Sequence, residues 1–150
     1  MLKLNLPDYQ FHIVEKDGKL SIFDPVRKKY VALTPEEWVR QHVIQFLIIE
    51  KQVPVSLLRV EAEIRLYKTR KRFDIAVFDR NGNPLLMVEC KAPSIALSQE
   101  VLDQAARYNI TLNVGLFMLT NGLQHIICRV DPDNGSVLQI SELPAYPFQG

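Results

Sequence analysis

Residues 72–91 read RFDIAVFDRNGNPLLMVECK, two apolar runs that are separated by Asn81-Gly82. An Asn-Gly pair between alternating apolar residues is typical of a two-residue β-hairpin turn, because both residues tolerate positive φ. We therefore predict two antiparallel strands, residues 73–79 and 85–91, joined by this turn. The opposed pairs in that register are Arg80–Asn83, Phe78–Leu85, Ala76–Met87 and Asp74–Glu89.

This register places two carboxylates side by side. Residues opposed in this way have Cα atoms about 5.5 Å apart, and Lys91 projects from the same face as Glu89, whereas Cys90 points into the core. Like charges directly opposed destabilise a sheet unless a cation neutralises them. Hard oxygen ligands favour Mg²⁺ or Mn²⁺ over zinc. The alternative interpretation is an ordinary exposed strand face with a Glu–Lys pair, and a one-residue bulge would move Asp74 to the other face.

Further strands and two helices are predicted on both sides of this hairpin. Apolar residues at helical spacing indicate one helix from Thr34 to about residue 51 and another that begins near Ser98. The order of elements predicts an α/β fold, with a mixed central β-sheet flanked by helices and a small N-terminal β-hairpin. The other predicted strands are residues 20–23, 30–33, 57–66, 114–120, 125–130 and 137–140.

The length and composition of the chain bound its class. With 150 residues, 47% hydrophobic residues and a net charge of +1, the chain is expected to form a single domain. The expected parts are an N-terminal β extension (1–33), a core (34–130) and a C-terminal strand and tail (131–150). Near-neutrality excludes a basic nucleic-acid coat protein, and the glycine pattern excludes a P-loop motor.

The N-terminus and the cysteines indicate a cytoplasmic location. The first 18 residues carry charges where a secretory signal would be apolar, and no apolar run is long enough to cross a membrane. Cys90 and Cys128 lie in apolar stretches, which predicts buried free thiols in a reducing compartment. We therefore expect no membrane partner.

The first helix begins with two acidic residues that have different expected roles. Thr34 is predicted as the N-cap and Glu37 as the acid of a capping box. Glu36 lies on the apolar stripe of the helix, so it is expected to point inward. Its partner would be either Arg40 at i+4 or the metal site.

The second helix carries two polar residues on its apolar face. Gln104 and Tyr108 are four residues apart there, and inward polar groups must find hydrogen bonds. Either a satisfied core network or a functional site is compatible with this spacing.

A basic run precedes the Asp74 strand. Five cations occur within eight residues without an acid, and they are predicted on the turn that leads into this strand. Such a run is either a solvated hairpin tip or a phosphate clamp beside the metal site. A second basic group, residues 27–29, lies on the N-terminal hairpin. The cations of the first run are Arg65, Lys68, Arg70, Lys71 and Arg72.

Together these residues resemble the PD-(D/E)xK nuclease superfamily, and within it the N-terminal domain of type I restriction enzyme R subunits. The resemblance runs in order over about residues 34–130. Phe73 stands where the superfamily name has Pro, and the chain is too short to include the motor domains of a whole R subunit. The matching segments are Pro35-Glu36-Glu37-x-Val39-Arg40-Gln41, Phe73-Asp74, Val88-Glu89-Cys90-Lys91, Gln104-x-x-x-Tyr108 and Thr120-Asn121-Gly122.

The resemblance implies metal-dependent phosphodiester hydrolysis, with DNA as the substrate and a restriction or repair context. Asp74, Glu89, the Cys90 carbonyl and Glu36 would hold Mg²⁺ or Mn²⁺, with Glu37 left open as the alternative to Glu36. Lys91 would orient a water or stabilise developing charge. Gln104 and Tyr108 would position the carboxylates or contact the phosphate backbone, and the nucleic-acid contacts are expected from Lys68, Arg70, Lys71 and Arg72.

Several alternatives remain open for the function. The chain would act as a deoxyribonuclease, as a homodimer or with a partner subunit that supplies a motor or specificity. Alternatively it would be a non-cleaving nuclease-like domain that binds DNA or a protein partner. In a third interpretation, Glu36, Arg40, Asp74, Glu89 and Lys91 form a closed ion-pair network in a metal-free interaction domain.

Overall fold

The computed structural model describes residues 1–66, 69–131 and 133–149, with the exception of the side chains of residues 64, 66, 69, 105, 106 and 108–111. Within these residues no helix is both long and apolar enough to cross a membrane. Both cysteines are buried free thiols, as predicted.

The N-terminal part forms a three-stranded antiparallel sheet. Its strands are β1 (Ile13–Lys16), β2 (Lys19–Asp24) and β3 (Lys29–Ala32), in the order β1-β2-β3. The predicted hairpin corresponds to β2 and β3. The sequence did not reveal β1, because all four of its residues are exposed and so show no alternation of burial.

The core is a six-stranded mixed sheet with a helix on each face, which confirms the predicted fold class. Helix α1 (Pro35–Ile49) precedes the sheet, and α2 (Gln99–Leu112) connects the parallel strands β6 and β7. All other neighbouring strands are antiparallel, in the order β4 to β9. A short 3-10 turn, Val55–Leu57, leads into the sheet. The strands are β4 (Leu58–Leu66), β5 (Thr69–Phe78), β6 (Pro84–Cys90), β7 (Leu116–Thr120), β8 (His125–Val130) and β9 (Val137–Ile140).

Each face of the sheet buries its own apolar cluster. The apolar stripe of α1 packs on one face, and α2 contributes Leu102 and Leu112 to the other. This burial on both faces fixes the sheet between the two helices. The first cluster includes Val39, Val43, Leu47, Ile75, Val77, Leu86, Val88 and Cys90. The second includes Phe73, Ala76, Met87, Phe117, Cys128 and Val130.

The turn between β5 and β6 has three residues, not the two that the Asn-Gly pair predicted. The amide of Asp79 donates to the carbonyl of Asn83 at 2.9 Å, and the Gly82 amide donates back to the Asp79 carbonyl at 3.2 Å. The Asp79 carboxylate also accepts hydrogen bonds from the amides of Asn81 and Asn83. This side-chain acceptor favours the longer loop, in which Gly82 adopts φ +84°.

A β-bulge compensates for the extra turn residue. Phe78 pairs with Pro84, so the predicted Phe78–Leu85 pair is wrong, but the next pair is Val77–Leu86. Leu85 is thus the additional residue of the bulge. From Val77 onward the strands follow the predicted register, including Ala76–Met87 and Ile75–Val88.

Candidate functional site

The side-chain alternation of β4 and β5 breaks at Asp74. In β5, Phe73 and Ile75 are two residues apart, yet they pack in different clusters on opposite faces of the sheet. In β4 the break falls at Glu61, which has φ +52° within a strand. Regular strands place residues i and i+2 on one face. The irregularity therefore allows Asp74 to leave the regular alternation where β5 meets the end of β6.

Two neighbouring elements hold the Asp74 carboxylate. Its Oδ2 accepts the backbone amide of Cys90 in β6 at 2.7 Å. Its Oδ1 accepts Nη2 of Arg40 from α1 at 2.7 Å. The side chain is only 14% exposed, so Asp74 is fixed between the sheet and the helix.

Glu89 lies beside Asp74, and nearby cations offset only part of the unfavourable effect of burying its carboxylate there. The last regular pair before it is Ile75–Val88, one position away. Burial and the charge of Asp74 raise the pKa of the Glu89 carboxyl group to about 7, although the charges of Lys71 and Lys91 act to lower it. Its Oε1 is buried and has no hydrogen-bond partner in the described residues. The structure thus places the Glu89 carboxyl group close to that of Asp74, as the sequence predicted, and leaves one buried oxygen of Glu89 without a hydrogen-bond partner among the described residues.

Lys91 follows β6 directly and is close enough to influence Glu89. Its backbone amide donates to the Thr120 carbonyl at 2.8 Å, which extends the contact between β6 and β7. Its side chain is half-buried and forms no ion pair with any part of the chain that the structure describes. The ammonium group is therefore available to a bound anion.

At the start of α1 the side chains of the two acidic residues point differently from the prediction, although Glu36 does bind Arg40, one of its two predicted partners. Thr34 caps the helix, since its Oγ1 accepts the Glu37 amide at 3.0 Å. Glu37, however, turns its side chain inward, and Glu36 is 47% exposed and bonds Arg40 at 2.9 Å. The prediction that Glu36 points inward is wrong because Arg27, in the turn between β2 and β3, and Arg40, one turn further along α1, hold Glu37 in the interior.

Arg40 is the central cation of this region. Besides Asp74, it donates to Glu37 Oε1 at 2.6 Å and to Glu36 Oε1 at 2.9 Å. Burial acts to lower the pKa of Arg40, but Asp74 and Glu37 raise it on balance. This observed network contains Glu36, Arg40 and Asp74 from the predicted ion-pair network, and it extends through Glu37 rather than through Glu89 and Lys91.

The α2 residues contribute differently from what the sequence predicted. The side chain of Gln104 is exposed, so the prediction that it points inward is wrong. The helix turns this position outward, while Leu102 and Leu112 pack on the sheet. The side chain of Tyr108 lies outside the described residues, and its role stays a prediction.

The basic run belongs to strands rather than to a turn. Residues 70–72 are part of β5 and Arg65 is part of β4, because cross-strand pairing continues past the end of β6. Arg65 and Arg70 are directly opposed, an arrangement of like charges that destabilises a sheet. Glu63 offsets this by binding Arg70 Nε at 2.6 Å. Lys68 lies outside the described residues.

The second basic group does not form a surface patch. Arg27 is only 16% exposed, and its guanidinium group binds Asp24, Glu37 and Glu61. Lys28 and Lys29 are exposed. Only these two lysines of the group therefore face the solvent.

Some residues of this region were not predicted as functional, namely Asp24, Arg27, Glu37, Gln41 and Asn121. Asn121 Nδ2 donates to the Ile95 carbonyl at 2.9 Å, which ties down the loop that follows Lys91. Its signal in the sequence is the Thr120-Asn121-Gly122 segment. Asp24 is separated from α1 by a strand and a turn, and no spacing within the chain indicates its contact with Gln41.

The donor set can be tested for its fit to a divalent metal. Nowhere in the described residues do three His, Cys, Asp or Glu side chains form a metal-binding group. Asp74 and Glu89 do supply two carboxylates, and the buried Glu89 Oε1 lacks any partner. A hard divalent cation fits such an oxygen pair when backbone carbonyls or waters complete the coordination. The residues therefore fit Mg²⁺ or Mn²⁺, with Arg40 competing for Asp74.

Glu89 should make the stability of the metal-free protein depend on pH. The pKa of its carboxyl group rises from an ordinary value of 4.5 to about 7 on folding, so folding takes up a proton between these values. The contribution of Glu89 to the free energy of unfolding is therefore highest below pH 4.5, and it falls as the pH rises through about 7. In Glu89→Gln we expect up to about 3 kcal/mol of this decline to disappear.

Urea unfolding in EDTA at several pH values, from about 5 to about 8, measures this effect. Glu15→Gln is the matched control, because Glu15 is exposed on β1. Parallel stability curves for wild type and Glu89→Gln would show that Glu89 does not take up the proton.

The geometry defines a class of protein, and comparison with known proteins then gives the family. The class is an α/β domain whose mixed sheet carries two carboxylates and a lysine near the end of the central strand β6. The sequence model of the family described as "Type I restriction enzyme R protein N terminus (HSDR_N)" matches residues 35–144. The chain belongs to this family of N-terminal domains of restriction-enzyme R proteins.

A solved structure shares the fold. It is a fragment of a chain assigned as an HsdR subunit of a type I restriction enzyme from Vibrio vulnificus YJ016, with a TM-score of 0.54 and 22% identity over 77% of this chain. The chain spans 24% of the length of that solved chain. None of the curated proteins matches the sequence.

Proposed function

We propose that this domain is a metal-dependent nuclease of the PD-(D/E)xK type that hydrolyses phosphodiester bonds of DNA in a restriction or repair context. The observation that supports this most directly is the pair of carboxyl groups of Asp74 and Glu89, with a buried oxygen of Glu89 that has no partner. A buried polar atom of this kind is costly unless a ligand satisfies it. The family of restriction-enzyme R-protein N termini supplies the context.

The residues that would hold the metal are Asp74, Glu89 and the carbonyl of Cys90. Glu36 would approach directly or through water if its bond to Arg40 opened. A bound Mg²⁺ or Mn²⁺ lowers the pKa of a water and offsets negative charge on the phosphoryl group. Asp74 is already held by the Cys90 amide and by Arg40, so the chain presents it in a fixed orientation.

Lys91 and the basic strands would act on the phosphates. Lys91 has no carboxylate partner among the described residues, so its ammonium group would orient the attacking water or stabilise developing charge. Arg70, Lys71 and Arg72 lie in β5 directly before Asp74, and with Lys68 they would contact the DNA backbone. Gln104 and Tyr108 would then contact DNA from α2 rather than support the carboxylates.

The domain would work together with other components. A nuclease domain that cuts both strands of a duplex needs either a second copy or repositioning, so a homodimer or a partner subunit with a motor or specificity function is part of this proposal. A cytoplasmic location is part of this proposal, and the two buried free thiols are compatible with such a reducing compartment.

One observation favours a second candidate, a nuclease-like domain that binds DNA or a protein without cutting it. Arg40 donates to Asp74 Oδ1 at 2.7 Å and so already neutralises one of the two carboxylates. If Arg40 does not give way, the protein would bind nucleic acid independently of metal.

Calorimetric titration of Mn²⁺ into the wild type and into Asp74→Asn tests the proposal. We expect binding by the wild type and an affinity at least about tenfold lower for the variant, with Asp8→Asn, an exposed aspartate, unchanged. Incubation of plasmid DNA with the same proteins in Mg²⁺ or Mn²⁺ should give cleavage by the wild type and by Asp8→Asn. Metal-independent DNA binding without Mn²⁺ uptake or product would instead establish the second candidate.

A further inference from the structure

The N-terminal sheet contacts the candidate site through the turn between β2 and β3. This sheet precedes residues 35–144, which are the part of the chain that the family model matches. Asp24, at the end of β2, is completely buried. Its Oδ1 accepts the amides of Val26 at 2.7 Å and Arg27 at 2.9 Å, so the carboxylate fixes the turn itself. The buried Asp24 carboxylate therefore holds the turn in one conformation, which fixes the position of Arg27.

The guanidinium group of Arg27 joins three elements. Its Nε donates to Asp24 Oδ2 at 2.7 Å, Nη2 donates to Glu37 Oε1 at 2.9 Å, and Nη1 donates to Glu61 Oε2 at 3.3 Å. Glu61 is the β4 residue with positive φ, at the level where the strand alternation breaks. Arg27 thus links the N-terminal turn both to α1 and to the irregularity beside Asp74.

Three hydrogen bonds in series connect Arg27 to Asp74, by way of Glu37 and Arg40. Glu37 Oε1 accepts from Arg27 and also from Arg40 Nη1, at 2.6 Å, while Glu37 Oε2 accepts from Gln41. Arg40 then donates to Asp74 through Nη2. The charges alternate along this series, so each group fixes the next one.

We propose that Arg27 is a positioning residue of the site: it anchors Glu37, so that Arg40 is held in the orientation in which it fixes the Asp74 carboxylate. The consequence for metal binding rests on the proposed function, whereas the contact itself does not. The N-terminal sheet then contributes a residue that positions the site. The chemical class of its contribution is a fork of guanidinium donors, which a lysine cannot reproduce.

The Cys90 amide reports on Asp74 without any metal. This amide donates to Asp74 Oδ2, so displacement of the carboxylate removes its acceptor. The Val130 amide, which donates to the Gly115 carbonyl, lies elsewhere in the same sheet and reports on global stability. Hydrogen exchange of both amides by NMR in EDTA therefore separates a positioning effect from a general loss of stability.

We expect Arg27→Met to accelerate exchange of the Cys90 amide at least about tenfold relative to the Val130 amide. Arg27→Lys should give a smaller change in the same direction, and it serves as the test if Arg27→Met does not fold. Lys28→Met is the matched control, since it removes a cation from the next, exposed residue. An unchanged ratio of the two exchange rates in both Arg27 variants would overturn the proposal.

Calorimetry with Mn²⁺ on the wild type tests the proposed function separately from the positioning role, because the exchange measurement in EDTA needs no metal. Absence of Mn²⁺ binding by the wild type would contradict the proposed function, and the exchange ratio would still test Arg27.

Discussion

Replacement of Lys91 by methionine is expected to lower kcat for DNA cleavage by about 10³, which corresponds to about 4 kcal/mol of transition-state stabilisation. The ammonium group has no carboxylate partner in the described residues, so it is available to developing charge on the substrate. Methionine retains most of the volume of the half-buried side chain. KM for DNA should change by only a few-fold, because more distant cations supply the backbone contacts.

This prediction separates Lys91 from the metal ligands. Removing its positive charge lessens the repulsion of a divalent cation but also raises the pKa of Glu89, so Mn²⁺ affinity should be unchanged or slightly higher when it is measured above that pKa, at about pH 8. Lys19→Met, an exposed lysine in β2, controls for the loss of one charge. A kcat for Lys91→Met within about tenfold of the wild type would exclude a direct role in the chemical step.

Replacement of Arg40 by methionine should cause the largest loss of stability, about 3–5 kcal/mol in the metal-free protein. The guanidinium group is 7% exposed and binds three carboxylates. Its removal leaves the Asp74 carboxylate without an ion-pair partner among the described residues, whereas Glu37 keeps Arg27, and a stranded buried charge costs more than the net contribution of the ion pair. Urea unfolding at neutral pH measures the effect.

Two further variants make this test specific. Arg59→Met removes an exposed arginine whose hydrogen bonds within the described residues go to the carbonyls of Ser56 and Leu58, and it should cost less than about 1 kcal/mol. The double variant Arg40→Met/Asp74→Asn should recover part of the stability, because the charge that Arg40 neutralised is gone. If Arg40→Met unfolds at the same urea concentration as wild type, the buried network does not stabilise the fold.

The sequence predicted correctly that Asp74 and Glu89 lie close together, but the observed register ends at Ile75–Val88 and does not include them as an opposed pair, and two details of the hairpin were wrong. The Asn-Gly pair indicated a two-residue turn, but Asp79 accepts backbone amides and lengthens the turn by one residue. The bulge at Leu85 restores the register before Asp74 is reached. Local periodicity cannot reveal such a compensation, since bulges depend on how the strand meets its neighbours.

The acidic residues of α1 show a second reason why part of the site could not be predicted from the sequence. Helical periodicity places Glu36 on the apolar stripe, but the contact that decides the orientation of Glu37 comes from Arg27 in another sheet. Neighbours that are distant in the sequence leave no periodic signal, and the same holds for Asp24 and Gln41. The helix ends, the strand order and the buried thiols depend on local patterns, and these could be predicted.

The bulge at Leu85 also determines which changes in the length of the β5–β6 turn keep Glu89 beside Asp74. Because side chains alternate with a period of two, one inserted or deleted turn residue would transfer Glu89 to the opposite side of the sheet. A change of two residues, or a single change together with loss of the bulge, would keep Glu89 beside Asp74. The length of the turn and the bulge therefore depend on each other, and engineered turns should change in length by two residues at a time.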